Sequence, residues 1–216
     1  MFAKLIKRIS KPAPTVQTPS IMGLRLGASF EVDPLAIKLM LDELTIESCS
    51  PTQIIKAAGV IDLDGTWVYR FYTDDDAWLQ VVAEGGNRDE HVVDVKLFHF
   101  YDTRDIASKQ AWDQLLERQI GQSSYTLENK NYQRVWTAAG DYHNPVHMAE
   151  KTYEEGGDHS TTDQFTMLFE RELSDRRTES LFLSAEEKLE EGGYLSRCLV
   201  LSTGITLTPS QLTIHG

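Results

Sequence analysis

The chain has 216 residues, of which 41% are hydrophobic and 25% are charged, and its formal net charge is −12. This composition is typical of a folded globular protein of one large or two small domains, and it excludes wholesale disorder. No apolar run reaches the roughly 20 residues of a membrane-spanning helix, and no secretory signal follows Met1, so we expect a cytoplasmic protein.

The charge and the cysteine count narrow the expected partners and cofactors. A body this acidic should repel nucleic acid, so DNA and RNA are not expected partners. Two isolated cysteines, Cys49 and Cys198, are too few for a cysteine-rich zinc site or a disulfide framework. We interpret them as small buried or half-buried thiols, and we expect no cofactor.

Residues 1–20 differ from the rest of the chain, because residues 1–30 contain five basic residues and no acid. The first eleven residues predict a short basic amphipathic helix. Its apolar face comprises Phe2, Leu5, Ile6 and Ile9, and its basic side comprises Lys4, Lys7, Arg8 and Lys11. Pro12 ends this helix, and a proline-rich linker follows. We therefore expect a folded body over residues 21–216.

Within the body, the first predicted elements are a strand in "GLRLGASFEV" and a helix from Pro34 to about Leu44, capped by Asp33. A second helix is predicted in "DIASKQAWDQLLERQIG", with Asp105 as its cap and Gly121 at its C-terminal end. The remaining pattern is one of short runs rich in Val, Ile, Phe and Tyr with turn residues between them, which is typical of antiparallel strands. These runs are "QIIKAAGVIDL", "TWVYRFY", "AWLQVVAE", "HVVDVKLFHFY", "YQRVW", "HMAEKTY", "TDQFTMLFERE", "TESLFLSAEE", "YLSRCLVLS" and "QLTIHG".

The order of elements lacks alternating βαβ units, which excludes a doubly wound nucleotide-binding fold. We predict an α+β fold that is mainly antiparallel β, a barrel or sandwich-like meander with two helices, plus the short N-terminal amphipathic helix. A weak internal similarity between "VYRFYTDDDAWLQVVAEGG" and "LFERELSDRRTESLFLSAEE" suggests two similar halves, about 45–104 and 125–216.

The acid run Asp74, Asp75 and Asp76 is the first candidate site. It lies where two strands meet, and aspartate is common in turns because its side chain bonds the local backbone. We favour the tip of a hairpin, with a divalent-metal role as the alternative.

Histidines give a second candidate in "HNPVHMAE", which contains His143 and His147. Their spacing suits zinc only on a helix, which Asn144-Pro145 disfavours, so we interpret them as surface residues. His99 shares a strand face with Val95 and Leu97, and we predict a hydrogen-bonded histidine in the core.

At "GLRLGASFEVD", "YRFYTDDDAWLQV", "DVKLFHFYD" and "YQRVW" the sequence resembles the YjfK family of bacterial proteins of uncharacterised function. The likeness covers the body from about Ile21 to the C-terminus. It implies a cytoplasmic bacterial protein with no established activity or cofactor. It also implies a setting near membrane-stress systems, with a protein of the phage-shock-protein A class as a partner. No catalytic residue can be carried over.

These observations leave three functional hypotheses. The first is a non-enzymatic binding or adaptor protein, linked to bacterial envelope stress, that the N-terminal helix attaches to a protein partner or to the anionic inner membrane. The second is a metal-dependent hydrolase or metal-binding protein that uses Asp74–Asp76 with His143 or His147. The third is a small-molecule sensor with an aromatic groove, drawn from Trp67, Tyr69, Phe71, Trp78, Phe98 and Phe100.

Overall fold

The computed structural model describes residues 18–46, 48–190 and 192–216. The predicted N-terminal amphipathic helix, with its apolar and basic faces, lies outside these residues, as does most of the linker. Within the described part of the chain, none of the helices has both the length and the apolar character needed to cross a bilayer.

Twelve strands account for most of the described chain, and their bounds follow in chain order. They are β1 (Ser29–Val32), β2 (Thr52–Leu63), β3 (Thr66–Thr73), β4 (Ala77–Glu84), β5 (Val92–Asp105), β6 (Ser124–Leu127), β7 (Lys130–Arg134), β8 (Val146–Glu154), β9 (His159–Glu172), β10 (Thr178–Leu189), β11 (Leu195–Thr206) and β12 (Leu212–His215). The two α-helices are α1 (Pro34–Lys38) and α2 (Lys109–Gln114), and α2 continues as a π-helical turn over Leu115–Gln119. The prediction of a mainly antiparallel β fold is confirmed.

Eight of these strands close into an antiparallel barrel, which decides between the barrel and the sandwich that the sequence left open. Strands β2 to β5 form one four-stranded meander, and β8 to β11 form another. The barrel closes where β5 pairs with β11 and where β2 pairs with β8. The remaining strands extend the sheet outside the barrel.

This topology gives the expected internal similarity a concrete form. If the two halves are related, β2 corresponds to β8, β3 to β9, β4 to β10 and β5 to β11. The first strands of the two meanders pair with each other, as do the last strands. The relationship between the halves stays a prediction.

The main hydrophobic clusters lie on the outer face of the barrel. Along β4, Leu79 and Val81 belong to a cluster with residues of the segment Ile21–Leu44, whereas the intervening Trp78 and Gln80 face the interior. A second outer cluster packs Trp112 of α2 against β9, β10 and β11. Because the outer face supplies much of the apolar packing, the barrel interior is left free for polar side chains.

The prediction of two helices is not confirmed, because among the described residues α2 with its π-helical turn forms a helix of eleven residues whereas α1 has five. The helix expected from Pro34 to about Leu44 ends at Lys38. The residues after Lys38 form hydrogen-bonded turns instead of a regular helix, and their far end is bonded to the barrel, where Arg171 donates to the Glu43 carbonyl and Glu179 accepts from the Thr45 amide. Two hydrogen bonds of helical spacing persist in these turns, from the Leu41 amide to the Ile37 carbonyl and from the Leu44 amide to the Met40 carbonyl.

The ends of the second helix also differ from the prediction. Ser108 caps it by accepting a hydrogen bond from the Ala111 amide, while Asp105 is the last residue of β5. The π-helical turn replaces the expected left-handed glycine at its C-terminus. Gly121 instead allows close approach of the His143 carbonyl, which a Cβ atom would overlap.

Candidate binding site in the mouth of the barrel

A buried ion pair between Arg70 and Glu150 lies in the barrel interior. Arg70 Nη1 lies 2.7 Å from Glu150 Oε2, and the two side chains are 2% and 1% exposed. The same Nη1 donates to Gln164 Oε1 at 2.6 Å, and Gln164 Nε2 donates to Glu150 Oε2 at 2.9 Å. Removing charges from water is costly, and a triangle of hydrogen bonds offsets that cost by satisfying both groups.

Strand β2 lies between the strands that carry this pair, and it has a glycine at the crossing point. Gly59 is the register partner of Arg70 on β3 and of Thr152 on β8. A Cβ atom at Gly59 would overlap the Glu150 carboxylate. The glycine is therefore required to let two side chains from non-adjacent strands meet in the interior.

Aromatic rings complete the setting of the Arg70 guanidinium. Its Cζ lies 4.9 Å from the Trp78 ring centroid and 5.1 Å from that of Phe182. Both rings are 3% exposed, so these cation–π contacts are shielded from water. The ion pair, the hydrogen bonds and the aromatic faces together hold the guanidinium in one position at the bottom of the barrel cavity.

Next to the Arg70 guanidinium the barrel contains an open cavity of about 330 Å³. Arg70 and Glu150 lie at its buried end, and the exposed residues Phe100 and Glu154 lie at its outer end. Eight-stranded barrels are just wide enough to be filled by side chains or to hold one small ligand. The volume falls in the range of small-molecule pockets.

Glu186 is a half-buried carboxylate that lines this cavity and forms no ion pair with a described residue. It accepts one long hydrogen bond, at 3.4 Å, from Gln164 Nε2. Burial raises its pKa above the ordinary value, and the nearby Glu150 charge raises it further. Close by, the buried Ser184 hydroxyl favours the charged carboxylate and offsets part of this increase in pKa. Both groups are suited to a polar ligand.

The aromatic rim of the cavity is formed by Tyr72 and Phe100. Their rings stack with centroids 6.4 Å apart and an interplanar angle of 3°. The Tyr72 hydroxyl donates to Glu150 Oε1 at 2.8 Å, and burial together with that carboxylate holds the pKa of Tyr72 well above its usual value. The hydroxyl therefore remains a neutral donor that fixes Glu150.

Comparison with known proteins places the chain in a family without linking it to a characterised activity. Residues 1–213 match the family described as "Protein of unknown function (DUF2491)". The chain belongs to this family. The expected resemblance to YjfK is confirmed, since the chain is 28% identical over its whole length to "Uncharacterized protein YjfK" of Escherichia coli (strain K12), covering 98% of that protein. No solved structure matches.

The aromatic groove predicted for this family member is divided between the two faces of the barrel. Trp78 and Phe100 line the cavity, and Phe98 stacks on Trp78 with ring centroids 4.4 Å apart. In contrast, Tyr69 and Phe71 belong to the outer hydrophobic cluster, and Trp67 packs against that cluster. The alternation along the strands explains this division.

The acid run forms the turn between β3 and β4, as we expected of a hairpin tip, but its carboxylates reach beyond the turn. Asp74 accepts from the Ile54 amide at 2.8 Å. Asp75 accepts from the Ser50 amide at 2.8 Å and from the Ser50 hydroxyl at 2.6 Å. The turn is thereby bonded to β2 through Ile54 and to the segment before β2 through Ser50.

The structure does not bring His143 or His147 into a group with the acid run. Nδ1 of His143 lies 2.5 Å from the Asn144 carbonyl oxygen, while His147 pairs with Asp163 at 2.8 Å on the surface. His99 is buried, as predicted, but the predicted hydrogen bond is wrong, because neither ring nitrogen has a hydrogen-bond partner among the described residues. Its Nε2 lies 3.6 Å from Asp75.

Sequence reasoning missed Arg70, Gln164 and Glu186 as members of a site. Each lies in a strand whose alternating pattern assigns polar residues to solvent, whereas closure of the barrel turns that face inward. Glu150, the last residue of "HNPVHMAE", likewise was not predicted as a member of a site. The available signal was an arginine at the centre of the otherwise apolar and aromatic run "TWVYRFY".

Proposed function

We propose that this protein is a non-enzymatic binding protein that holds a small organic cation in the mouth of its barrel. The observation that carries the proposal is Glu186, a carboxylate in the cavity wall that forms no ion pair with a described residue. An ammonium group beside it would stabilise the charged form that burial disfavours.

The charge balance of the cavity favours a cation over an anion. Arg70 is the cation among its lining residues, and Glu150 neutralises it. The lining carboxylates of Glu154 and Glu186 then leave the cavity with two negative charges. An anionic ligand would have to approach these carboxylates without access to a free guanidinium.

The cavity walls also suit the non-polar part of such a ligand. The stacked rings of Tyr72 and Phe100 lie at the rim, and Val200 and Ala57 add apolar surface. Aromatic faces attract organic cations, most strongly where water is excluded. A carboxylate in the cavity wall and aromatic rings at the rim together favour an amine or quaternary ammonium attached to a short apolar group.

Attachment through the N-terminal segment remains part of the proposal. Its basic and apolar residues are suited to an anionic membrane surface or to a partner of the phage-shock-protein A class, and each basic residue near such a surface contributes on the order of 1 kcal/mol. In this account the barrel binds the ligand, and residues 1–20 attach the barrel to the inner membrane.

Isothermal titration calorimetry of the full-length protein with benzyltrimethylammonium tests the proposal. We expect saturable one-to-one binding, weakened at least about tenfold in Glu186→Gln because one charge-assisted contact is lost. Glu187→Gln is the matched control, since Glu187 pairs with Arg197 at 2.5 Å and does not line the cavity. Equal binding of benzoate, or unchanged affinity in Glu186→Gln, would contradict the proposal.

A further inference from the structure

Three residues from separate parts of the chain converge beside the β3–β4 turn. They are Cys49, which precedes β2, Asp75 in the turn, and His99 on β5. One possible ligand atom from each lies within 4.8 Å of the other two. The structure assigns this group as a divalent transition-metal site, best suited to Zn²⁺, and the assignment is independent of the proposed ligand in the barrel mouth.

The register of the barrel brings these residues together. His99 pairs with Ala77, the first residue of β4, so the turn that contains Asp75 lies directly beside the imidazole. Cys49 reaches the same place because Ser50 donates two hydrogen bonds to Asp75. The three donors are therefore fixed by different elements of a rigid scaffold, as a preorganised site requires.

His99 is the independent observation that points to a ligand. Its side chain is 9% exposed, its Nε2 faces Asp75 Oδ2 at 3.6 Å, which is longer than a normal hydrogen bond, and its Nδ1 has no partner among the described residues. Its cross-strand neighbour Thr203 also has a buried hydroxyl with no partner in the described structure. Buried polar groups are almost always satisfied, so an unpartnered imidazole aimed at a carboxylate indicates a missing ion or water.

The surroundings of Asp75 resemble the outer shell of a metal site. Gln53 is completely buried, and its Nε2 lies 3.3 Å from Asp75 Oδ2 and 3.5 Å from Cys49 Sγ. These bonds, with those from Ser50, orient the carboxylate and leave lone pairs free for a cation. Such outer partners typically orient the residues that bind the metal.

The donor set selects the metal. Thiolate, imidazole and carboxylate are ligands of zinc and similar ions, whereas Ca²⁺ and Mg²⁺ take oxygen ligands. The Cys49 thiol releases its proton to solvent as the sulfur–metal bond forms. Asp75 and His99 also line a second cavity of about 460 Å³, from which water can supply a fourth ligand.

The test uses the full-length protein, freed of metal with a chelator and titrated with Zn²⁺ or Co²⁺. We expect one equivalent to bind and Co²⁺ to give a thiolate-to-metal charge-transfer band. Cys49→Ser should abolish this band, and His99→Gln should weaken Zn²⁺ binding by more than the roughly 10- to 100-fold typical of outer-shell changes. Gln53→Ala should fall within that range.

Matched controls separate the site from general metal binding. Cys198→Ser removes the other half-buried cysteine, and His147→Gln removes a surface imidazole paired with Asp163. Neither should change binding. In the unmodified chain, Zn²⁺ should slow alkylation of Cys49 but not of Cys198, which requires no variant to fold. Binding below one equivalent, no charge-transfer band, or equal losses in the controls would overturn the assignment.

Discussion

Arg70 and Glu150 lie 2.7 Å apart inside the barrel, although β2 separates the strands that carry them. Their contact depends on Gly59, which leaves room for the Glu150 carboxylate. The pair fixes the floor of the cavity and neutralises the one arginine that lines it. The ligand class that we propose rests on this neutralisation, because the Glu186 carboxylate then has no cationic partner among the described residues.

Glu150→Ala should lower the free energy of unfolding by about 3–5 kcal/mol, because it leaves the Arg70 charge buried and unpaired. Urea denaturation monitored by circular dichroism measures the change. Asp113→Ala is the control, since the pair between Asp113 and Lys109 is exposed and should contribute less than about 0.5 kcal/mol. Similar losses in the two variants would contradict our account of the buried pair.

Gly59→Ala should destabilise the protein by about 1–3 kcal/mol, since the added methyl group displaces the Glu150 carboxylate. Gly140→Ala is the matched control, because a Cβ there meets no atom within 4 Å. In the same denaturation measurement, we expect the free energy of unfolding of Gly140→Ala to stay within about 0.5 kcal/mol of that of the original protein. A Gly59→Ala protein of unchanged stability would show that the carboxylate does not need this space.

The pH dependence of stability should contain a contribution from Glu186. Its pKa in the folded protein is raised above the ordinary value of 4.5, chiefly by burial, so the folded state holds the proton more tightly than the unfolded chain. The contribution of Glu186 to the free energy of unfolding is therefore greatest below about pH 4.5, and it falls as the pH rises through the pKa of Glu186 in the folded protein.

Glu186→Gln removes that contribution. Between the pKa of Glu186 in the unfolded chain and its pKa in the folded protein, we expect the variant to lose less stability as the pH rises. At neutral pH the variant should be more stable than the original protein. Thermal unfolding across this window measures the difference between the two proteins. Burial also raises the pKa of Asp94, so Asp94 contributes in the same direction. Part of the pH dependence of stability therefore remains in the Glu186→Gln variant. A slope identical to that of the original protein would argue against a raised pKa of Glu186 in the folded protein.

A second buried network attaches the segment before β2 to the outside of the barrel. Glu179 is 1% exposed and accepts from the Tyr132 hydroxyl at 2.7 Å and from the Thr45 amide at 2.6 Å. Tyr132→Phe should cost about 1–3 kcal/mol, because a buried carboxylate loses a donor. Tyr101→Phe, which removes an exposed hydroxyl bonded to Glu128, should cost much less in the same unfolding measurement.

The predicted basic helix can be tested without shortening the chain. Replacing Lys4, Lys7, Arg8 and Lys11 by glutamine should abolish salt-sensitive co-sedimentation with anionic liposomes, since each charge contributes on the order of 1 kcal/mol. The same replacement should leave benzyltrimethylammonium binding unchanged, which separates attachment from ligand recognition. Retained co-sedimentation would exclude an electrostatic membrane anchor.

The strands were predictable because alternation of Val, Ile, Phe and Tyr with polar residues is a local signal. Barrel closure was not, because pairing of β5 with β11 and of β2 with β8 joins residues far apart in the sequence. The same limit hid Arg70, whose strand pattern fits a solvent-facing position until the sheet closes. The group of Cys49, Asp75 and His99 likewise depends on strand register, which composition cannot supply.

Direct titration of the Glu186 carboxyl tests the central claim, with Glu186→Gln identifying its signal. The measurement is carbon-detected NMR of glutamate-labelled full-length protein, from acidic to neutral pH, with and without saturating benzyltrimethylammonium. We predict a pKa above the ordinary value in the free protein and a clear decrease when the cation binds, because an adjacent positive charge favours the carboxylate. An unchanged pKa at saturation would contradict a cation site in the mouth of the barrel.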